Sequence, residues 1–129
     1  MIRPATMLRL FLFLALALSL GGCKTVGVWF GDTEAETETL PVEAMYAQAR
    51  EYRDKGSYDA ATKYYQRLIA RFPYGPYNEQ AQIDLAYVLY KTEKPEEATA
   101  AIDRFIRTFP QHPQIAYAYY LKALINFGR

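Results

Sequence analysis

The residues with chemistry to offer are few and far apart. The chain has one cysteine, Cys23, and one histidine, His112, separated by 89 positions, with His112 in a turn flanked by Pro110 and Pro113. A reactive thiol needs a positioned base, and a metal centre needs several ligands at convergent spacing; neither pattern occurs here. The acids Asp32, Glu34, Glu36 and Glu38 alternate with threonine and alanine, unlike the spacing of a calcium loop. No glycine-rich phosphate loop is present either, so the sequence predicts a chain that is not an enzyme and uses no cofactor or metal. Tyrosine is plentiful, 12 residues interleaved with Arg and Lys. Rings of that kind give apolar contact at little entropic cost, and cations meet carboxylates through charge-assisted hydrogen bonds. The chemistry on offer is recognition at a surface.

The charge balance narrows the ligand. Arg3 and Arg9 lie in an N-terminal leader, so of 15 cations and 14 acids the segment from Cys23 onward keeps 13 and 14, a net charge of −1. With no basic stripe, nucleic acid is excluded as a partner.

Residues 1–22 read as a signal peptide: two arginines without an acid, then an apolar run of about 11 residues, well short of the roughly 20 that span a bilayer. Leu20-Gly21-Gly22-Cys23 looks like a bacterial lipobox, which makes Cys23 the lipidation site and the new N-terminus. A lone cysteine forms no disulfide within its chain. Lys24 follows it, and by resemblance to enterobacterial sorting rules the absence of Asp there directs the lipoprotein to the outer membrane. Residues 23–41 form an acidic linker, GDTEAETETLP at its end, with little to bury. Trp29 and Phe30, near the lipidated end, are read either as interfacial or as unstructured.

From Val42 the periodicity turns helical. Met45, Ala49 and Tyr52, then Tyr58, Ala61, Tyr65, Leu68 and Phe72, recur at spacings of three, four and seven. Gly56-Ser57 breaks the first pair of helices; Pro73 and Gly75-Pro76 end the second helix. A third is expected over Tyr77–Thr92, a turn at Glu93-Lys94, a fourth helix opened by Pro95 and closed at Phe109-Pro110, and a fifth over Gln114–Phe127. YDAATKYYQRLIARFP, residues 58–73, returns as PEEATAAIDRFIRTFP, residues 95–110. The shift of 37 matches Ala61, Thr62, Arg67, Ile69, Phe72 and Pro73 with identical residues, the mark of a solenoid whose units bury their faces on one another.

Ala49, Tyr52, Gly56, Tyr58, Ala61, Tyr65 and Pro73 follow the tetratricopeptide pattern, and Leu85, Ala86, Ala98 and Pro110 continue it. Gln82, Glu93 and Pro95 replace the usual tryptophan, glycine and aromatic. Leu68 and Phe105 stand where that family has a small residue, which predicts looser or differently angled helix packing. The fold class expected is all-α, two hairpins plus one further helix over residues 42–129.

The segments ARFPYGPYNEQAQIDLAYVLYK and AIDRFIRTFPQHPQIAYAYYLKAL, behind a lipobox, resemble the N-terminal half of the tetratricopeptide lipoproteins of the outer-membrane β-barrel assembly machinery. That resemblance implies a periplasmic-facing, lipid-anchored protein of the Gram-negative outer membrane. The implied partners are unfolded β-barrel proteins, recognised by their C-terminal signal, and the subunits BamA, BamC and BamE. The family's BamA-docking repeats have no counterpart here, and the apolar last helix, AYAYYLKALINF, is expected to be covered, the chain being read as a fragment. The alternative is a tetratricopeptide lipoprotein that scaffolds a different cell-envelope complex.

In tetratricopeptide hairpins the first helix of each unit lines the concave side. Projecting its lining positions onto this chain selects Tyr46, Arg50, Arg53, Gln80, Tyr87, Tyr90, Lys91, Tyr117, Tyr120 and Leu124 as peptide contacts, with Tyr87 and Tyr90 foremost. The competing reading packs these tyrosines into the core. Phe72, Tyr74 and Tyr77 either recognise a ligand or staple two repeats. Arg104 and Arg107 share a helix face; either they meet a partner such as BamC, or Arg104 makes a helix–helix salt bridge and Arg107 is solvated.

Overall fold

A computed structural model of the protein describes residues 39–128. Among these residues five helices follow in order: α1 Val42–Asp54, α2 Tyr58–Arg71, α3 Asn78–Lys91, α4 Pro95–Thr108 and α5 Ile115–Phe127. Each packs on the next, and α3 also touches α5, which makes two hairpins and a further helix of tetratricopeptide type. The stretch 1–22 read as a signal peptide, the expected lipidation site Cys23, Trp29, Phe30 and the acids Asp32, Glu34, Glu36 and Glu38 lie outside the described residues.

The helices begin and end for identifiable reasons. At the first hairpin turn Gly56 takes a left-handed φ of 75°, Ser57 N–H donates to Tyr52 O at 2.8 Å and Gly56 N–H to Arg53 O at 3.0 Å. This pair of bonds is the Schellman closure, which favours glycine because a Cβ is strained at positive φ. The second hairpin closes in the same way, Lys94 to Leu89 at 3.0 Å and Glu93 to Tyr90 at 3.2 Å, with Glu93 at φ 57° in the glycine's place. Pro95 sits in the first turn of α4, where its missing N–H has no intrahelical partner to lose. Acids open α1 to α4 and a base closes each, as the helix dipole favours; α5 has neither.

The repeat extends into the loops between hairpins. Gly75 N–H bonds Phe72 O at 3.1 Å and Asn78 N–H bonds Gly75 O at 3.4 Å; 37 residues later His112 bonds Phe109 at 3.1 Å and Ile115 bonds His112 at 2.9 Å. A Cβ on Gly75 would stand 2.9 Å from that of Phe72, so a side chain there has no room.

One apolar core runs through the stack: Met45 and Ala49 from α1, Ala61, Tyr65 and Leu68 from α2, Ile83 and Val88 from α3, Ile102 and Phe105 from α4, Leu121 and Ile125 from α5. Leu68 and Phe105 are both completely buried. Both large side chains are thus taken fully into the core. Tyr52, Tyr58 and Phe72, expected on the buried stripe, are half-buried at its edge.

Candidate functional site: a tyrosine-lined face with a buried carboxylate

The first helices of successive units, α1, α3 and α5, supply the face to which the lining residues belong. At its centre is Asp84, in the middle of a helix otherwise buried by Ala81, Ile83, Leu85, Ala86, Val88 and Leu89. A carboxylate in such surroundings survives as an anion only if its oxygens are hydrogen-bonded. Three donors converge on it: Tyr46 Oη at 3.0 Å to Oδ2, Arg53 Nη1 at 3.2 Å and Gln80 Nε2 at 3.3 Å to Oδ1. Arg53 also pairs with Asp54 at 2.9 Å and is only 21% exposed. The hub therefore ties α1 to α3 through polar bonds.

The tyrosines around the hub are electrostatically constrained. Burial and then the Asp84 charge raise the pKa of Tyr46 above the ordinary tyrosine value, and the same two causes raise that of the wholly buried Tyr65. Tyr65 Oη, buried beside the hub, feels the Asp84 carboxylate as well. Tyr117 is shifted upward as well, by burial first and then by Tyr87 and Asp84, which places α5 within reach of the same centre.

The remaining lining residues form two aromatic groups. Tyr46 stacks on Tyr77, ring centroids 4.7 Å apart at 16°, and Arg50 lies 6.0 Å above the Tyr46 ring. Tyr87 meets Tyr58 edge-on at 6.4 Å, and Lys91 Nζ stands 5.8 Å from the Tyr58 ring. Arg50 and Lys91 are exposed. On α5, Tyr117 and Tyr120 lie 6.3 Å apart and are 43% and 58% exposed, with Leu124 half-buried below them. Tyr90 is half-buried and reaches toward Gly128. The projected set thus comes together in part. Tyr46, Arg53 and Gln80 are bonded into the hub, whereas Arg50, Lys91, Tyr117 and Tyr120 present free surface and Tyr87 and Tyr90 partial surface.

The loop aromatics divide. Tyr77 has a left-handed φ of 67° and stacks its ring on Tyr46 while remaining 41% exposed, and Tyr74 is fully exposed. Phe72 packs half-buried under the Arg71 guanidinium, 4.9 Å away. Arg104 is exposed and forms no ion pair with a described residue, which corrects the expected helix–helix salt bridge; Asp103 next to it pairs instead with Lys122 at 2.7 Å and joins α4 to α5. Arg107 is solvated. His112, read as a turn residue, sets Nε2 3.3 Å from Glu79 and its ring on Phe105 at 5.1 Å.

Gln82, in the place of the usual tryptophan, is buried and donates to Asn78 Oδ1 at 2.7 Å; Asn78 Nδ2 in turn donates to Phe72 O at 2.9 Å and closes α2. Among the described residues no group of His, Cys, Asp and Glu has the arrangement of a metal site. Asp84 escaped the sequence reading. Its signal was present: an acid in mid-helix among apolar residues, four residues after Gln80 and three before Tyr87, on the face already chosen.

These features define a class: a helical-hairpin solenoid whose inner helices offer tyrosines and cations around a satisfied carboxylate. A family model described as an outer membrane lipoprotein, YfiO, matches residues 38–129. The chain belongs to this family. Similar proteins include the outer membrane protein assembly factor BamD of Xylella fastidiosa, 48% identical over 90 residues covering 70% of this chain and 31% of the relative. BamD of Neisseria meningitidis serogroup B is 40% identical over 122 residues, 95% and 45% of the two chains, and that of Caulobacter vibrioides 30% over 128 residues, 97% and 39%. The chain spans less than half the length of these relatives.

Proposed function

We propose that this chain acts, without catalysis, in the assembly of β-barrel proteins into the outer membrane, holding the C-terminal segment of an unfolded barrel protein against the inner faces of α1, α3 and α5. Two things support the reading: the relatives carry the name of assembly factors, and the exposed lining has the chemistry for an aromatic residue that ends in a carboxylate. The observation that carries it is exposure along the projected lining, where the rings of Tyr117 and Tyr120 and the cations Arg50 and Lys91 all reach solvent. Rings receive the aromatic end and a cation the carboxylate. Residues 1–22 act in this proposal as a cleaved signal, lipidated Cys23 anchors the chain to the membrane, and residues 23–41 tether the 42–129 domain on the periplasmic side. The exposed Arg104 and Arg107, on the second helix α4, are left for a contact with another subunit of the machinery, BamC among them.

The test is crosslinking. Photo-reactive residues at Tyr87 and Tyr90, challenged with a peptide ending in phenylalanine, are expected to capture it, and one at Arg107 is not. Capture from Arg107 alone overturns the groove.

A further inference from the structure

We infer that Asp84 determines specificity in this groove: by holding Arg53 and Tyr46 it withdraws the central cation from carboxylate recognition and leaves that task to Lys91. The inference rests on the peptide-groove reading above and adds where the ligand's carboxylate is read.

Arg53 is the cation nearest the middle of the face, and alone it would be the obvious carboxylate contact. Its guanidinium, however, already serves two acids, Asp54 at 2.9 Å and Asp84 at 3.2 Å. Asp84 in turn is 9% exposed and fixed by Tyr46 and Gln80 as well. A ligand carboxylate at Arg53 would stand within a few ångströms of the Asp84 anion, and two like charges at that distance oppose each other. The neutral pair closes the centre of the face to anions while leaving its rings available.

Two exposed cations of the lining remain. Arg50 lies over the Tyr46 ring, whose hydroxyl belongs to the hub, so it sits at the edge of the Asp84 field. Lys91 is seven residues further along α3 than Asp84, roughly 10 Å at the helical rise. Beside it are the Tyr58 ring at 5.8 Å and, edge-on to that ring, Tyr87. An aromatic side chain and the carboxylate of the same terminal residue thus find a ring pair and an ammonium side by side. The C-terminal end of α3 carries a partial negative charge of about one half, smaller than the full charge of the lysine, so the net local field still attracts an anion. The bound peptide ends at the Lys91 end of α3 and runs back past Asp84.

The experiment uses the full chain and two labelled ten-residue peptides of one sequence ending in phenylalanine, one with a free carboxylate and one amidated, with binding read by fluorescence anisotropy. The free acid is expected to bind about fivefold more tightly. Lys91→Gln brings the ratio near one. Asp84→Asn, with folding checked by circular dichroism, leaves Arg53 with Asp54 as its one acidic partner among the described residues and raises the ratio by roughly threefold. The double variant Arg53→Gln with Asp84→Asn replaces a neutral pair by a neutral pair and keeps the wild-type ratio; it also serves if the single variant does not fold. A ratio that collapses in the double variant, survives Lys91→Gln, or stays unchanged in a folded Asp84→Asn protein overturns the assignment. If neither peptide binds the wild-type chain, the groove reading itself fails and the selectivity falls with it.

Discussion

Helix α3 buries nine of its 14 residues, whereas α5, laid on the same repeat positions by the shift of 37, buries three of 13. Both are first helices of a unit and both are rich in alanine, leucine and tyrosine. The difference lies in their neighbours. α3 is packed by α2 and α4 and touched by α5; among the described residues α5 meets α4 and, at its edge, α3. In a solenoid, burial follows place in the stack more than the helix's own composition. The side chains follow suit: Asp84 on α3 corresponds to Leu121 on α5, because a buried carboxylate is tolerable only where a flanking helix supplies donors.

The largest test of this contrast is a cavity. Ile83→Ala, in the fully enclosed part of α3, is expected to cost about 3 kcal/mol in urea denaturation. Next comes the hub. Asp84→Leu copies the α5 residue into α3 and strands Tyr46, Arg53 and Gln80 without their acceptor, for a loss of about 2 kcal/mol; a neutral result would show that the carboxylate does not join α1 to α3. Alkali probes the same group. Tyr46 and Tyr65 have raised pKa values in the fold, so their contribution is whole below the unfolded tyrosine value near 10 and is lost as pH rises above it. Denaturation midpoints should therefore fall between about pH 9 and about pH 11, and fall less in Tyr46→Phe.

Smaller effects separate the two hairpin turns. Gly56→Ala places a Cβ at φ 75° and should cost about 1 kcal/mol, while Glu93→Gly relieves φ 57° and should stabilise by up to about that amount. Smallest is the effect at an exposed position of α5. Tyr119 on α5 is 57% exposed, and Tyr119→Ser should change stability by no more than about 0.5 kcal/mol. A large loss there would mean that α5 is as enclosed as α3.

The fold was legible because its determinants are local. Apolar spacing, Gly56, Pro73, Pro95 and Pro110 mark the helices, and the 37-residue echo reveals that they stack. Even the glutamate in the glycine's place at residue 93 could be read, although its left-handed backbone could not. The site was legible only in outline. Tyr46, Arg53 and Gln80 are legible as lining residues but their bonds to Asp84 are not, because that acid lies 38, 31 and four positions away and its burial depends on helices the periodicity does not orient. For the same reason the loop tyrosines looked alike, and only packing on Tyr46 distinguishes Tyr77 from the exposed Tyr74.

The central claim is that the working surface is the inner face of α1, α3 and α5. Proton spectra of the tyrosine rings, followed while a peptide with a C-terminal phenylalanine is added to the full chain, test it most directly. Tyr87, Tyr90, Tyr117 and Tyr120 are expected to shift, with Tyr64 and Tyr74 unchanged. Shifts confined to Tyr74 would contradict it.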